Sequence, residues 1–179
     1  MRVIAGDLKG HRLVAPRGWK VRPTTDRVRE AIFSALGDVA GSQVLDLYCG
    51  TGALAIEALS RGAATATLVD RDTRPALGNV ERLGLADRVE LVRSDAARWV
   101  AGAAAGGRRY DLVFLDAPYR LAERVGRELD THLPDLLGAG GRLVVESGAG
   151  RPLRVDSLER LRQRRYGGSD VSFYSAGTQ

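Results

Sequence analysis

From residue 43 onward, short apolar runs alternate with stretches of helical period. Val44, Leu45, Asp46 and Leu47 read as a strand, Ala53 to Leu59 as a helix, Ala66 to Asp70 as a strand, Arg74 to Leu83 as a helix, and Val89 to Val92 as a strand. A short helix follows Asp95; then come a strand over 112–115, an amphipathic segment from about 121 to 137, and a strand from Arg142 to Val145. Strands separated by helices of this length predict a mostly parallel α/β sheet with right-handed crossovers and helices on both faces. The tail fits two last strands, Leu158 to Tyr166 and Val171 to Phe173, joined near Gly167 and Gly168, which brings the sheet to seven strands. The small-residue stretch Ala101 to Gly107 reads as a loop.

The chain before residue 43 has a different pattern. Arg2, Val3, Ile4 and Arg12, Leu13, Val14 are short β-prone runs around a turn containing Gly6, Asp7 and Gly10, the pattern of a hairpin. Gly18 to Pro23 continues as an irregular basic segment with one aromatic, Trp19, which either stacks on a base or anchors the hairpin. Thr24 or Thr25 caps a helix with Asp26 in its first turn; Val28, Ala31, Ile32, Ala35 and Leu36 form its apolar face, and Gly37 stops it. Arg22, Arg27 and Arg29 surround that helix start, either to grip an anionic ligand or as an ordinary solvated face. The expected organisation is a hairpin extension over residues 1–23 followed by one α/β domain over 24–179.

Charge sharpens the role of the extension. The net charge is +5, yet residues 1–30 hold eight basic residues against three acidic ones, so the remaining chain is balanced. A concentrated basic segment is the footprint of nucleic-acid contact, although basic surfaces also serve solubility. Arg2, Lys9, His11, Arg12, Lys20, Arg22 and Arg27 are the candidate contacts. No apolar run approaches the ~18 residues of a membrane span, and no secretory signal opens the chain. A cytoplasmic protein without a membrane partner is expected. One cysteine, Cys49, and two histidines, His11 and His132, give no zinc-ligand spacing, so no metal is expected.

The candidate chemistry lies at predicted strand ends, where open α/β sheets bind ligands. Asp46, Leu47, Tyr48, Cys49, Gly50, Thr51, Gly52, Ala53, Leu54, Ala55 follows the first sheet strand, and Gly50, Gly52 and Ala55 satisfy a dinucleotide fingerprint. Asp70 ends the second strand, where an acid takes ribose hydroxyls. Taken alone, this suits an NAD enzyme. Asp46, however, would oppose a pyrophosphate, and it suits a cofactor with a cationic end. S-Adenosylmethionine carries a sulfonium and an ammonium and no phosphate. In that reading Gly50 and Gly52 let the backbone approach the cofactor, Asp46 faces its methionine end, Asp70 accepts from the ribose, and Asp95 accepts from the adenine amino group.

The last predicted strand end in the centre of the chain carries Asp116, Ala117, Pro118 and Tyr119. Asp46 to Gly52, Asp70, Ser94 with Asp95, and Asp116 to Tyr119 resemble the class I S-adenosylmethionine-dependent methyltransferases. Asp116 to Tyr119 looks like the Asp/Asn-Pro-Pro-aromatic signature of those that methylate exocyclic amines. The opening Arg2 to Gly6, then Arg22, Pro23, Thr24 and Arg27 to Phe33, resemble the bacterial guanine-N2 methyltransferase family of small-subunit ribosomal RNA. This resemblance implies a Rossmann-like fold and cofactor contacts at Asp46, Tyr48, Gly50, Thr51, Gly52, Asp70, Arg71, Asp95 and Ala96. It also implies catalysis at Asp116, Ala117, Pro118 and Tyr119, a product S-adenosylhomocysteine, and ribosomal RNA in a 30S particle as partner. Ala117 departs from the signature, which has proline there.

An exocyclic guanine amine is a poor nucleophile because its lone pair is delocalised into the ring. Hydrogen bonds from its protons to Asp116 and to a backbone carbonyl of this stretch favour attack, and Tyr119 is placed to hold the base plane. Adenine-N6 methylation of RNA or DNA shares this chemistry, and a noncatalytic RNA-binding assembly factor is a reading of another class. Cys49 lies in the cofactor loop rather than at the catalytic strand, which favours packing over a nucleophilic role. Glu146 reads as a cap or as a border of the substrate pocket, and His132 as a helix-surface residue.

Overall fold

A computed structural model describes residues 1–15, 25–150 and 153–176. Seven strands, β1 (Gln43–Leu47), β2 (Thr65–Asp70), β3 (Val89–Arg93), β4 (Tyr110–Asp116), β5 (Leu137–Gly148), β6 (Glu159–Tyr166) and β7 (Ser169–Ser175), form one sheet in the order β3-β2-β1-β4-β5-β7-β6. The first five are parallel, and β7 runs antiparallel to both β5 and β6. The helices are α1 (Asp26–Leu36), α2 (Ala53–Ser60), α3 (Arg74–Arg82), α4 (Ala96–Ala105), α5 (Ala122–Leu129) and α6 (Leu133–Leu136). Among the described residues no helix is long and apolar enough to cross a membrane.

Alternating strand residues feed two cores. Val44, Leu112, Phe114 and Val144 pack with apolar residues of α1, α2 and α3, while Leu45, Leu47, Val113, Leu115 and Val145 pack with those of α4, α5 and α6. Burial on both faces explains why these strands read as continuous apolar runs. Thr25 caps α1 by accepting from the Val28 N–H at 3.3 Å, and Gly37 closes it with φ 73°.

The N-terminal arm turns back through a bridge between Arg2 and Arg12 and lies on α2. Every residue of α2 is buried. A helix apolar almost all round must be covered on both sides, here by the sheet and by the arm, whose Val3 and Leu13 join the α1–α3 core. Glu57 on α2 accepts from the Ile4 and Ala5 N–H groups at 2.8 and 3.1 Å, and Ser60 Oγ accepts from the Leu8 N–H at 3.0 Å. Gly6, at φ 79°, crosses so close that a Cβ would lie 1.7 Å from the Ser60 carbonyl oxygen.

Four expectations are corrected. Ala101 to Gly107 is not a loop: α4 runs to Ala105, because small residues let it pack closely while Ala keeps its high helix propensity. The amphipathic 121–137 segment is two helices, α5 and α6, since Pro134 has no N–H to continue the ladder. His132 sits in the turn between them, half-buried. β5 begins at Leu137 rather than Arg142, the glycine-rich start being absorbed by a register shift against β4 between Tyr110 and Leu112.

Candidate active site

The C-terminal ends of the parallel strands bring the predicted acids to one edge of the sheet. Asp46 near the end of β1 is 2% exposed, and its Oδ2 accepts from the Ala55 N–H at 3.1 Å. Burial pushes its carboxyl up to about 7, opposed by the Ala55 hydrogen bond and reinforced by the neighbouring charge of Asp70. Asp70 at the end of β2 accepts from the Gly50 N–H through Oδ2 and from the Asp72 N–H through Oδ1, both at 3.0 Å. The loop between them is fastened by the Tyr48 N–H, which donates to the Val69 carbonyl at 2.9 Å, and Tyr48 itself takes φ 60°.

Gly52 starts α2 in the left-handed region, φ 75° and ψ 19°, and a Cβ there would come within 2.8 Å of Leu68 Cδ2. Thr51 is buried, and its carbonyl accepts from Asn79 Nδ2 at 3.0 Å. The loop is therefore a close-fitting backbone cradle beside two carboxylates and carries no cationic side chain of its own. That donor set fits a ligand with a cationic end and ribose hydroxyls better than a pyrophosphate. Burial pushes the Tyr48 hydroxyl up to about 12, helped by the charges of Asp95 and Glu128. Burial also raises the Cys49 thiol, with Asp46 and Asp70 adding to it, so Cys49 is a packing residue rather than a thiolate nucleophile.

Asp95 caps α4, accepting from the Arg98 N–H at 3.2 Å, and pairs with Arg71, whose Nε lies 3.1 Å from Oδ2. The hydrogen bond from Arg71 and that from the Arg98 N–H hold its carboxyl below the usual range. Ala96 is buried behind it. Arg71 and Asp95 thus stand as an exposed pair at the rim, next to the end of β2.

Asp116 ends β4 and lies in register with Glu146 on β5. Ala117 is 2% exposed, and Pro118, with φ −52°, leads into a 3₁₀ turn over Tyr119–Leu121. The Tyr119 ring rests on β5, where a Cβ on Gly148 would lie 3.0 Å from ring Cδ2, and its hydroxyl is 3.3 Å from Ser169 Oγ. Ser169 Oγ in turn donates to Glu146 Oε1 at 2.7 Å.

Of the candidate RNA contacts, Arg2, Lys9, His11, Arg12 and Arg27 are all exposed. Trp19, Lys20 and Arg22 lie outside the described residues. Arg29 is corrected: it is not on a solvated face but fully buried, donating to the Arg2 carbonyl and, at 3.0 Å, to Asp26 Oδ1. Burial lowers its pKa, and the Asp26 and Glu57 charges oppose that shift.

Sequence reasoning missed Asn79, which joins arm to loop by accepting from the Val14 N–H at 2.9 Å while donating to the Val14 and Thr51 carbonyls. Its signal was a polar residue on the otherwise apolar face of α3. Ser169 was also missed, and a serine in a Gly-Gly-Ser-Asp turn carries no chemical signal. The exposed edge strand β6 holds Arg160, Arg162, Arg164 and Arg165, which the balanced charge of the chain beyond residue 30 concealed. Among the described residues no group of three or more His, Cys, Asp or Glu is placed to hold a metal ion.

A parallel sheet closed by one antiparallel strand, with a glycine loop after β1 and acids at successive strand ends, defines the Rossmann-like fold of the S-adenosylmethionine-dependent methyltransferases. The chain belongs to the family described as "Conserved hypothetical protein 95", whose model matches residues 1–175. It is 37% identical over 182 residues to the YlbH protein of Bacillus subtilis, covering 97% of this chain and 98% of that one. It is 39% identical over 123 residues to the "Ribosomal RNA small subunit methyltransferase D" of Escherichia coli, covering 67% of this chain and 61% of that protein. The solved structure of the Escherichia coli yhhF protein superposes with a TM-score of 0.84 at 32% identity, covering 100% of this chain and 99% of that one. An RNA methyltransferase from Salinibacter ruber, solved with S-adenosyl-L-homocysteine, shares the fold with a TM-score of 0.65 at 20% identity, covering 88% of this chain and 96% of that one.

Proposed function

We propose that this chain is a cytoplasmic enzyme that transfers a methyl group from S-adenosylmethionine to the exocyclic N2 amine of a guanine in small-subunit ribosomal RNA, within a 30S particle. The observation that carries this reading is the placement of Asp116 to Tyr119 at the end of β4, immediately beside the β1 strand that leads into the glycine loop. The name of the Escherichia coli relative supports RNA as the substrate.

When bound, S-adenosylmethionine supplies a methyl on a cationic sulfur; the amine lone pair forms the N–C bond while the C–S electron pair goes to sulfur. Asp46, Tyr48, Gly50, Thr51, Gly52, Asp70, Arg71, Asp95 and Ala96 hold it. The backbone of the loop makes the close approach, Asp46 offsets positive charge, and Asp70 and Asp95 accept from hydroxyl and amino groups. Asp116 accepts a hydrogen bond from the target amine and stabilises the positive charge that develops on nitrogen; the alkylated amine is strongly acidic and gives up its surplus proton to Asp116 or to water without needing a full general base. The carbonyl of Ala117 accepts from the second amine hydrogen, Pro118 fixes the turn, and Tyr119 holds the plane of a base that has left its stack. Residues 1–23, with Arg27, contact RNA phosphates through Arg2, Lys9, His11, Arg12, Lys20 and Arg22, and residues 24–179 carry the transfer.

The direct test is incubation with methyl-labelled S-adenosylmethionine and small subunits from a strain lacking the enzyme. Label is expected in RNA of those particles and not in particles already methylated. Cofactor binding without label in RNA would instead favour an assembly factor.

A further inference from the structure

The strand beside Asp116 holds a buried carboxylate with one unused oxygen. Glu146 is in register with Asp116 on β4 and with Val171 on β7, and it is 4% exposed. Registered residues of paired strands project to the same face. Glu146 and Asp116 therefore stand side by side, on the face that also carries Phe114, Val144 and Val171. Glu146 Oε1 accepts from Ser169 Oγ, and that hydroxyl also meets the Tyr119 hydroxyl. Glu146 Oε2 is buried and has no hydrogen-bond partner.

Leaving a carboxylate oxygen buried and unpaired costs folding free energy, and native structures avoid it unless a ligand or a function answers for it. The Ser169 bond alone does not, because a glutamine carbonyl would accept it equally well without a buried charge. We propose that Glu146 reads the Watson–Crick edge of the target base, with Oε2 accepting from guanine N1–H while Asp116 accepts from the N2 amine. The proposal rests on the guanine-N2 reading and extends it to the choice of base. Guanine presents N1–H and N2–H as neighbouring donors; adenine presents an acceptor at N1 beside its amine. Two carboxylates on adjacent strands satisfy both guanine donors and repel the adenine N1 lone pair, so they select by attraction and repulsion together. Ser169 is the positioning residue, because one hydroxyl ties Glu146 to the aromatic ring of the catalytic turn.

The test uses reconstituted small subunits in which the modified nucleotide carries 2-aminopurine, which keeps the amine but has an acceptor at N1. The wild-type enzyme is expected to methylate it with kcat/KM about 10⁴-fold below guanine, the scale for an analogue that leaves a buried group unpaired. Glu146→Gln presents an amide donor, so it is expected to lose about 10²-fold on guanine and to methylate 2-aminopurine at least as fast as wild type does. Unchanged S-adenosylmethionine affinity would show that the variant is folded. Equal wild-type rates on both bases would overturn the proposal, as would a Glu146→Gln defect of the same factor on both. The wild-type comparison stands even if the variant does not fold. Failure of the underlying reading looks different, as N6-methyladenosine in unsubstituted particles.

Discussion

Asp46 is an acid pushed up to about 7 by burial. For an acid raised in the fold, the stabilising contribution is full below the ordinary value of 3.8 and is lost as pH rises through about 7. A bound cation reverses this preference by favouring the ionised form. S-Adenosylmethionine affinity is therefore expected to fall about tenfold per unit as pH drops below 7, and Asp46→Asn to bind weakly with no such slope; titration calorimetry from pH 5.5 to 8.5 checks both, and a flat wild-type profile would remove Asp46 from the cofactor's charged end. Asp116→Ala removes the acceptor facing the amine. Its kcat is expected to drop about 10²- to 10³-fold with cofactor affinity unchanged, a split that single-turnover rates and binding would reveal. Ala117→Pro is expected to alter kcat by less than about threefold, because Pro118 already restricts the residue before it; a large gain would show that backbone looseness limits the wild type. The strand-end acids were legible because each follows an apolar run and chemistry gathers at strand ends. Arg29 was not legible, because its burial depends on the Arg2 carbonyl, 27 residues away in sequence, coming to meet it.

Among the elements, α2 shows how much a pattern can conceal. Its sequence, Ala53 to Ser60, has almost no polar face, and that feature alone implies a cover on its outer side, although nothing local says that the cover is the first fifteen residues. Gly6→Ala tests the contact: with φ 79° and a backbone oxygen in the way, the substitution is expected to destabilise the protein by at least about 2 kcal/mol, or roughly 5 °C in Tm. Calorimetry showing less than 1 °C would mean that the arm is not seated as described. The alternation of strands and helices was legible because both sheet faces are buried and both periodicities are clean. The α5–α6 break and the early start of β5 were not, since a proline inside an amphipathic run and a glycine-rich strand start each look locally like something else.

At the scale of the whole molecule, the arm runs from the start of α1 over α2 to Asn79 and the glycine loop, so exposed Arg2, Lys9, His11 and Arg12 share one support with that loop. Reversing Arg2, Lys9 and Arg12 to acids is expected to weaken RNA binding and to flatten the slope of log affinity against log salt by about 2, with cofactor affinity intact; an unchanged slope would place the phosphate contacts elsewhere, with the arginines of β6 the next surface to test. Asp116 alone does not distinguish guanine from adenine, because both bases offer it an amine; that choice falls to Glu146 beside it. That distinction is the central claim, and mass-spectrometric analysis of nucleosides from deficient small subunits methylated by the purified enzyme tests it most directly. The expected product is N2-methylguanosine, formed about 10²- to 10³-fold more slowly when Asp116→Ala replaces the wild type. N6-methyladenosine, or no modified nucleoside from an enzyme that binds its cofactor, would contradict it.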